Sequence, residues 1–371
     1  MNHEDIFRVT TRKFLKPVVP FMDDPTVTEI MINGPAEVYV ERRGMLEKTD
    51  ARFLGEEALQ SAARNIAQYT HKRITPLTAR LDSRLPDGSR VHIVFPRCSR
   101  QGICIAIRRF AEHAFSLDDL VAHQALTPEA REYLEIVVAA QKNLIVSGGT
   151  GAGKTTLLNA LSAKIPAHER IITIEDTAEL RLQQPHKVSL ETAPPDRHGN
   201  GEVKIRDLFH SALRMRPDRI VIGECRAGEA LDLIQAMTSG HGGSMSSLHA
   251  ETAAQALTRL ETMTMMAGLE MPLAALRSQI ASAINVIVQM NRLPTGERKI
   301  TEIVENAPLD NTGNYRVNRI FALTVPNGDD DDAPPVLAWT KNHSLFADDL
   351  RNKGLARKPQ LTREVFSNVL S

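Results

Sequence analysis

Residues 148–155 read GGTGAGKT and stand directly after the apolar run NLIVS, so G-x-x-x-x-G-K-[ST] falls between a predicted strand and a predicted helix. Glycines there let backbone N–H groups close around a phosphate chain. Gly149, Thr150, Gly151, Ala152 and Gly153 would form that cradle, with Thr156 continuing into the helix. Lys154 would reach the outer phosphates, and Thr155 would hold the magnesium ion that travels with them. The helix adds the positive end of its dipole to the same anion site. A flexible glycine-rich turn is the plainer alternative, and it leaves the strand, the lysine and the threonine unexplained.

In an open parallel sheet the ligand lies at the carboxyl ends of the strands. Two acids end predicted strands there: Glu175 closes RIITI and is followed by Asp176, and Glu224 closes RIVIG. A carboxylate so placed can orient or deprotonate the water that attacks the last phosphate, or join the metal through water. Glu224 is the first choice as water activator and Glu175 the second, with Asp176 in support. The segment SGHGGSMSSLHA supplies His241 and His249. His249 falls at the end of the next strand, where a neutral imidazole can sense the last phosphate, and the same role is assigned to His241. The spacing does not suit zinc. Residues 80–109 hold seven arginines and no lysine against two acids. Period-two alternation turns Val91, Ile93 and Phe95, and likewise Ile103, Ile105 and Ile107, toward a core, which leaves Arg90 and Arg108 on the other face. Their planar forks suit phosphate oxygens, so they are candidate arginine fingers across a cleft or from a neighbouring subunit. The alternative is a solvated arginine-rich face.

These groups need a scaffold, and the pattern supplies one. A short helix over 1–16 stops at Pro17, two strands flank the turn at Asn33-Gly34-Pro35, a helix spans 56–69, and strands follow at 90–95 and 103–110. This is a smaller α/β amino-terminal domain over 1–109, with a linker over 110–126. Thr127 as an N-cap and Pro128 after it open a helix to about Gln141. Beyond the loop, helices at 153–164, 205–214 and 228–238 alternate with strands at 170–174 and 219–223, the rhythm of a parallel sheet with crossover helices. Strands over 285–305 and 315–324 complete a nucleotide domain over 127–326. The acid run 329–332 reads as a solvated linker, and 327–371 as that linker with a carboxyl-terminal tail.

The chain of 371 residues balances 45 Lys plus Arg against 45 Asp plus Glu, so no global field draws it to nucleic acid, and none is expected as a partner. Three cysteines without Cys-x-x-Cys spacing suit a reducing compartment. The start MNHEDIFRV lacks the basic character of a secretory signal, and no apolar run approaches a membrane span. A cytoplasmic protein is expected, touching the membrane only through partners.

Four successive blocks resemble the bacterial type II/IV secretion and pilus traffic ATPases, nearest to the CpaF-like branch that drives Tad/Flp pili. They are GGTGAGKTT (Walker A), TIEDTAELRLQQPHKVSLET (the acidic box), LRMRPDRIVIGECRAGEALDLIQAM (Walker B) and SGHGGSMSSLHA (the histidine box). EIMINGPAEVYVERRG and RLPDGSRVHIVFP with IAIRRF are similar to that family's amino-terminal domain. The resemblance implies a RecA-like phosphate-loop domain with a parallel sheet, preceded by a smaller α/β, PAS-like domain. It implies ATP and Mg2+ at Lys154 and Thr155, with Glu175 in the acidic box and Glu224 as the Walker B glutamate. It further implies histidine-box roles for His241 and His249, and nucleotide contacts for Arg90 and Arg108. Homo-hexameric rings, acting on inner-membrane platform proteins of a pilus or secretion machine, follow from the same likeness. Gly223 stands where many phosphate-loop enzymes place Asp, Gly242 where relatives often have Asp, and Glu251 where they have Asn. The long helical amino-terminal extension of many CpaF-like proteins is expected to be lacking. A nucleic-acid translocase on the same core would show aromatic stacking residues, yet aromatics are 4% of the chain. A nucleotide-gated scaffold without turnover is opposed by Glu175, Glu224 and His249.

Overall fold

The computed structural model describes residues 3–109, 115–196, 199–268, 270–324 and 335–367. The chain divides into two compact units, Met1–His113 and Ala114–Ser371.

In the first unit, α1 (His3–Phe14), a 3-10 turn (Lys16–Val18) and α2 (Val19–Asp23) lead into β1 (Val27–Asn33), β2 (Val38–Arg42) and β3 (Met45–Lys48). Then come α3 (Glu56–Tyr69), β4 (Arg80–Arg84), β5 (Arg90–Val94) and β6 (Cys104–Arg108). The six strands run β3-β2-β1-β6-β5-β4, every pair antiparallel. One face carries Ile30, Ile32, Val38, Val40, Val91, Ile93, Ile105 and Ile107, in one core with Leu59, Ala62, Ala63 and Ile66 of α3. Each large side chain so buried contributes about 1.5–3 kcal/mol. The expected α/β module is present, with two strands the pattern did not announce. β3 is exposed at all four residues, and β4 reads RLDSR; both are sheet edges, where outward polar side chains conceal the alternation.

The second unit opens with α4 (Leu117–Ala122), α5 (Pro128–Ala139), β7 (Leu144–Gly148), α6 (Lys154–Ser162), β8 (Ile171–Glu175) and β9 (Lys187–Glu191). It continues through α7 (Ile205–Leu213), β10 (Arg219–Ile222), α8 (Glu229–Thr238), β11 (Met245–Leu248), α9 (Ala253–Met265) and α10 (Leu273–Ala283). It closes with β12 (Val286–Arg292), β13 (Arg298–Ala307), β14 (Arg316–Thr324), β15 (Val336–Trp339) and α11 (Ala347–Asn352). The nine-stranded order is β15-β14-β13-β12-β7-β11-β10-β8-β9. From β12 to β9 the neighbours are parallel, and β13 to β15 extend the sheet antiparallel. Successive residues of β7 face opposite cores: Val146 joins Tyr133, Leu157 and Phe366, whereas Ile145 joins Phe209, Ile234 and Ile280. Helices therefore cover both faces, and the loop after β7 is held at the sheet's carboxyl edge.

Two expected boundaries look different in the fold. The stretch read as a linker over 110–126 contains α4, which begins at a Ser116–Asp119 capping box and buries Leu117 and Leu120 in the second unit. Six residues with two core positions give too little periodicity to be read. The tail likewise folds onto the second unit: β15 pairs with β14, Phe346 and Leu350 are buried, and the Phe366 ring stacks on Tyr133 at 5.8 Å. The acid run 329–332 lies outside the described residues.

Candidate active site

Gly153, at φ 98°, is the N-cap of α6, a left-handed position that a side chain would strain, and it turns the chain from loop to helix. Arg298 on β13 braces the loop from outside, its Nε donating to the Gly151 carbonyl at 2.7 Å. Lys154 is nearly buried, and its ammonium donates to the carbonyls of Gly148 and Gly149 at 3.0 Å each. Thr155 and Thr156 follow on the first turn of α6.

Three strand ends bring the remaining groups to the same edge. His249, just past β11, has Nδ1 3.3 Å from Lys154 Nζ and Nε2 2.5 Å from Glu224 Oε1. An ammonium can only donate, so Nδ1 is the acceptor and the imidazole proton sits on Nε2, facing the carboxylate. Burial first, then the positive charge of Lys154, holds His249 below its ordinary pKa, which keeps the ring neutral at pH 7. Lys154, His249 and Glu224 thus form one chain of contacts.

Glu175 ends β8 almost fully buried. Burial pushes its carboxyl up to about 7, although the N–H groups of Glu179 and Leu180 donate to Oε1 at 2.8 and 3.0 Å and pull the other way. Its Oε2 is buried with no hydrogen-bond partner. The carboxylate lies over Gly223: a Cβ there would meet Glu175 Cγ at 2.9 Å and Oε1 at 3.2 Å. The glycine in the Walker B strand end therefore makes room for an acid from the neighbouring strand. Magnesium takes oxygen ligands and keeps several waters, and the Thr155 hydroxyl with the unpartnered Glu175 oxygen is a donor set of that kind.

His241 departs from expectation. It precedes β11, in the turn where Gly243 and Ser244 donate to Asn143 Oδ1 and Ser244 Oγ donates to the His241 carbonyl. Asn143 precedes β7, and Leu144 pairs with Met245 in parallel register, so His241 stands at the amino edge of the sheet. Within one chain it is separated from the loop by the length of the strands and does not join the phosphate cluster. Arg90 and Arg108 lie in the first unit as directly paired residues of β5 and β6, on the face away from that unit's core. Arg84 on β4 continues the row, and Arg108 Nε is 3.9 Å from Glu29 Oε1. Arg298 and Arg226, which contacts Glu224, went unread. Arg298 sits on an antiparallel strand far along the chain with no local signal, whereas Arg226 was visible as a base two residues after a strand-end acid.

The family of type II/IV secretion system proteins matches residues 12–316. The type IV secretion system protein VirB11 of Bartonella quintana is 34% identical over 342 residues, covering 82% of this chain and 94% of that one. PtlH of Bordetella pertussis, also a type IV secretion system protein, is 35% identical over 302 residues, covering 75% and 89%. Among solved structures, the DotB ATPase of Yersinia pseudotuberculosis shares the fold at a TM-score of 0.55 and 18% identity, over 82% of this chain and 80% of that one. The parallel core with its loop after β7 is the RecA-like phosphate-loop arrangement. The chain belongs to the type II/IV secretion system protein family and is an ATPase of that phosphate-loop class.

Proposed function

We propose that the protein is a homo-hexameric motor that hydrolyses Mg-ATP to power pilus assembly or protein secretion, acting on platform proteins at the cytoplasmic face of the inner membrane. The observation that carries this reading is the contact chain Lys154–His249–Glu224 at the ends of β7, β11 and β10. A magnesium ion held there would supply positive charge to offset that of the phosphates. Thr155 and Glu175 would hold it, the latter directly or through water. The loop amides and Lys154 would orient the phosphate chain, and Glu224 would take the proton of the attacking water. His249, neutral and in contact with both, would stand between Lys154 and the Glu224 carboxylate and relay to it where Lys154 lies. Arg90 and Arg108 would offer planar guanidinium forks to phosphate oxygens of the nucleotide. The names of the type IV secretion relatives support a secretion machine. Among the described residues no helix is long and apolar enough to cross a membrane, which is compatible with attachment through partners.

Turnover and mass measured across protein concentration test this directly. Activity that rises with a six-subunit species and is lost in Glu224→Gln is the expected result. Concentration-independent turnover by a monomer would refute the ring, and loss of ATP binding in Glu224→Gln would refute the role given to that glutamate.

A further inference from the structure

Arg226 Nε donates to Glu224 Oε2 at 2.6 Å, and Nη1 donates to Asp176 Oδ2 at 3.3 Å. One guanidinium therefore spans the acid that follows β10 and the acid that follows β8. Its backbone is fixed on every side. Ser247 on β11 accepts from the Cys225 N–H through its carbonyl at 2.7 Å and donates through Oγ to the Gly223 carbonyl at 2.7 Å. The buried Glu229 carboxylate accepts from the N–H groups of Arg226 and Ala227 at 2.6 and 2.8 Å. A Cβ on Gly228 would meet Ala267 at 3.0 Å, so this turn also packs tightly against the segment after α9.

We propose that Arg226 is a positioning residue for hydrolysis: it grips one oxygen of Glu224 and ties it to the acidic segment after β8, leaving the other oxygen directed at His249 and the phosphate loop. The inference rests on the reading of Glu224 as the water activator. An arginine is required because a planar fork reaches two carboxylates from one fixed stem, whereas an ammonium is a single point charge. A mere surface ion pair is the competing account, since 54% of the Arg226 side chain is exposed. Such exposed pairs add little to stability. Against that account, the Glu224 side chain is only 18% exposed, its Oε2 is held by Arg226, and its buried Oε1, which has no hydrogen-bond partner, lies 2.5 Å from His249 Nε2.

Arg226→Gln, Glu224→Gln and the double variant, all in the full chain, test this by ATP turnover and by binding of ATP. Misplacing a catalytic group by about 1 Å costs roughly 100-fold, so Arg226→Gln should lower kcat about 10- to 100-fold with ATP binding and KM unchanged. The double variant should be no slower than Glu224→Gln alone, because a positioning residue has nothing left to position. Wild-type kcat in Arg226→Gln, a loss confined to KM, or losses that multiply in the double variant would each overturn the proposal. Wild-type turnover in Glu224→Gln would instead remove the reading beneath it.

Discussion

At the amino ends of β7, β10 and β11, Arg219 is fully buried and donates from Nε and Nη2 to Glu169, from Nη1 to the Gly243 carbonyl and from Nη2 to the Val138 carbonyl. Asn143 beside it donates to the carbonyls of Met237 and Ala283 and accepts from the N–H groups of Gly243 and Ser244. At the carboxyl ends of neighbouring strands, Glu175 keeps a buried oxygen with no partner, and Lys154 lies against loop carbonyls and a histidine. Arg219 and Asn143 thus leave no buried side-chain atom without a partner, whereas at the carboxyl edge Glu175 and Glu224 each keep one such oxygen. A saturated network fixes a structure, whereas an incomplete one is stable only because something else is to be bound or moved there.

The contrast can be broken by substitutions at either edge. Glu224→Gln should cost turnover roughly 100- to 10,000-fold, the span for removing a general base, while the thermal midpoint stays near that of the wild type. A large loss of stability would mean that the carboxyl edge is structural too. Arg219→Met should do the reverse, destabilising the second unit by about 3–5 kcal/mol in denaturant unfolding, since Glu169 is left buried without its partner. Near-wild-type stability would show that Glu169 is rescued by water.

Glu175 sharpens the comparison through pH. Its folded carboxyl ionises near 7 against the ordinary 4.5, so the protonated form is the one the fold favours. Its contribution is complete below about pH 4.5 and is lost as the pH rises through about 7, an effect on the order of 3 kcal/mol. Glu175→Gln should flatten that slope in urea unfolding between about pH 5 and about pH 8. An unchanged slope would assign it to other groups. The smallest effect belongs to Gly223→Ala, where the new methyl meets the Glu175 side chain. It should cost about 1–3 kcal/mol and slow turnover, by moving a carboxylate rather than removing one. An alanine variant with unaltered stability and rate would mean that Glu175 swings aside freely.

Lys154 was legible from the phosphate-loop motif, and Glu175, Glu224 and His249 from a local rule, an apolar run and then a polar residue at the carboxyl edge. His241 obeyed no such rule, since it precedes its strand, and only the parallel register of β11 with β7 shows which edge it occupies. Arg298 reaches Gly151 across a sheet order that places β12 and β13 beyond β7, a long-range pairing that no window of sequence contains. Edge strands β3, β4, β9 and β15 were unread for a different reason. Each has four or five residues and solvent on at least one side, so side-chain alternation carries little contrast.

Glu305 on β13 is buried and satisfied by the Tyr133 hydroxyl, the Ser344 hydroxyl and the Leu345 N–H. Two of those three donors, and the ring that stacks on Tyr133, come from the segment 344–366. During synthesis, the nucleotide-binding unit therefore cannot settle into its final packing until Phe366 has left the ribosome, whereas every strand of the first unit is complete by Arg108. The first unit can fold while the chain is still being made; the nucleotide-binding unit must wait for residues 344–366, and until they arrive the apolar surface they cover stays open to chaperones and proteases.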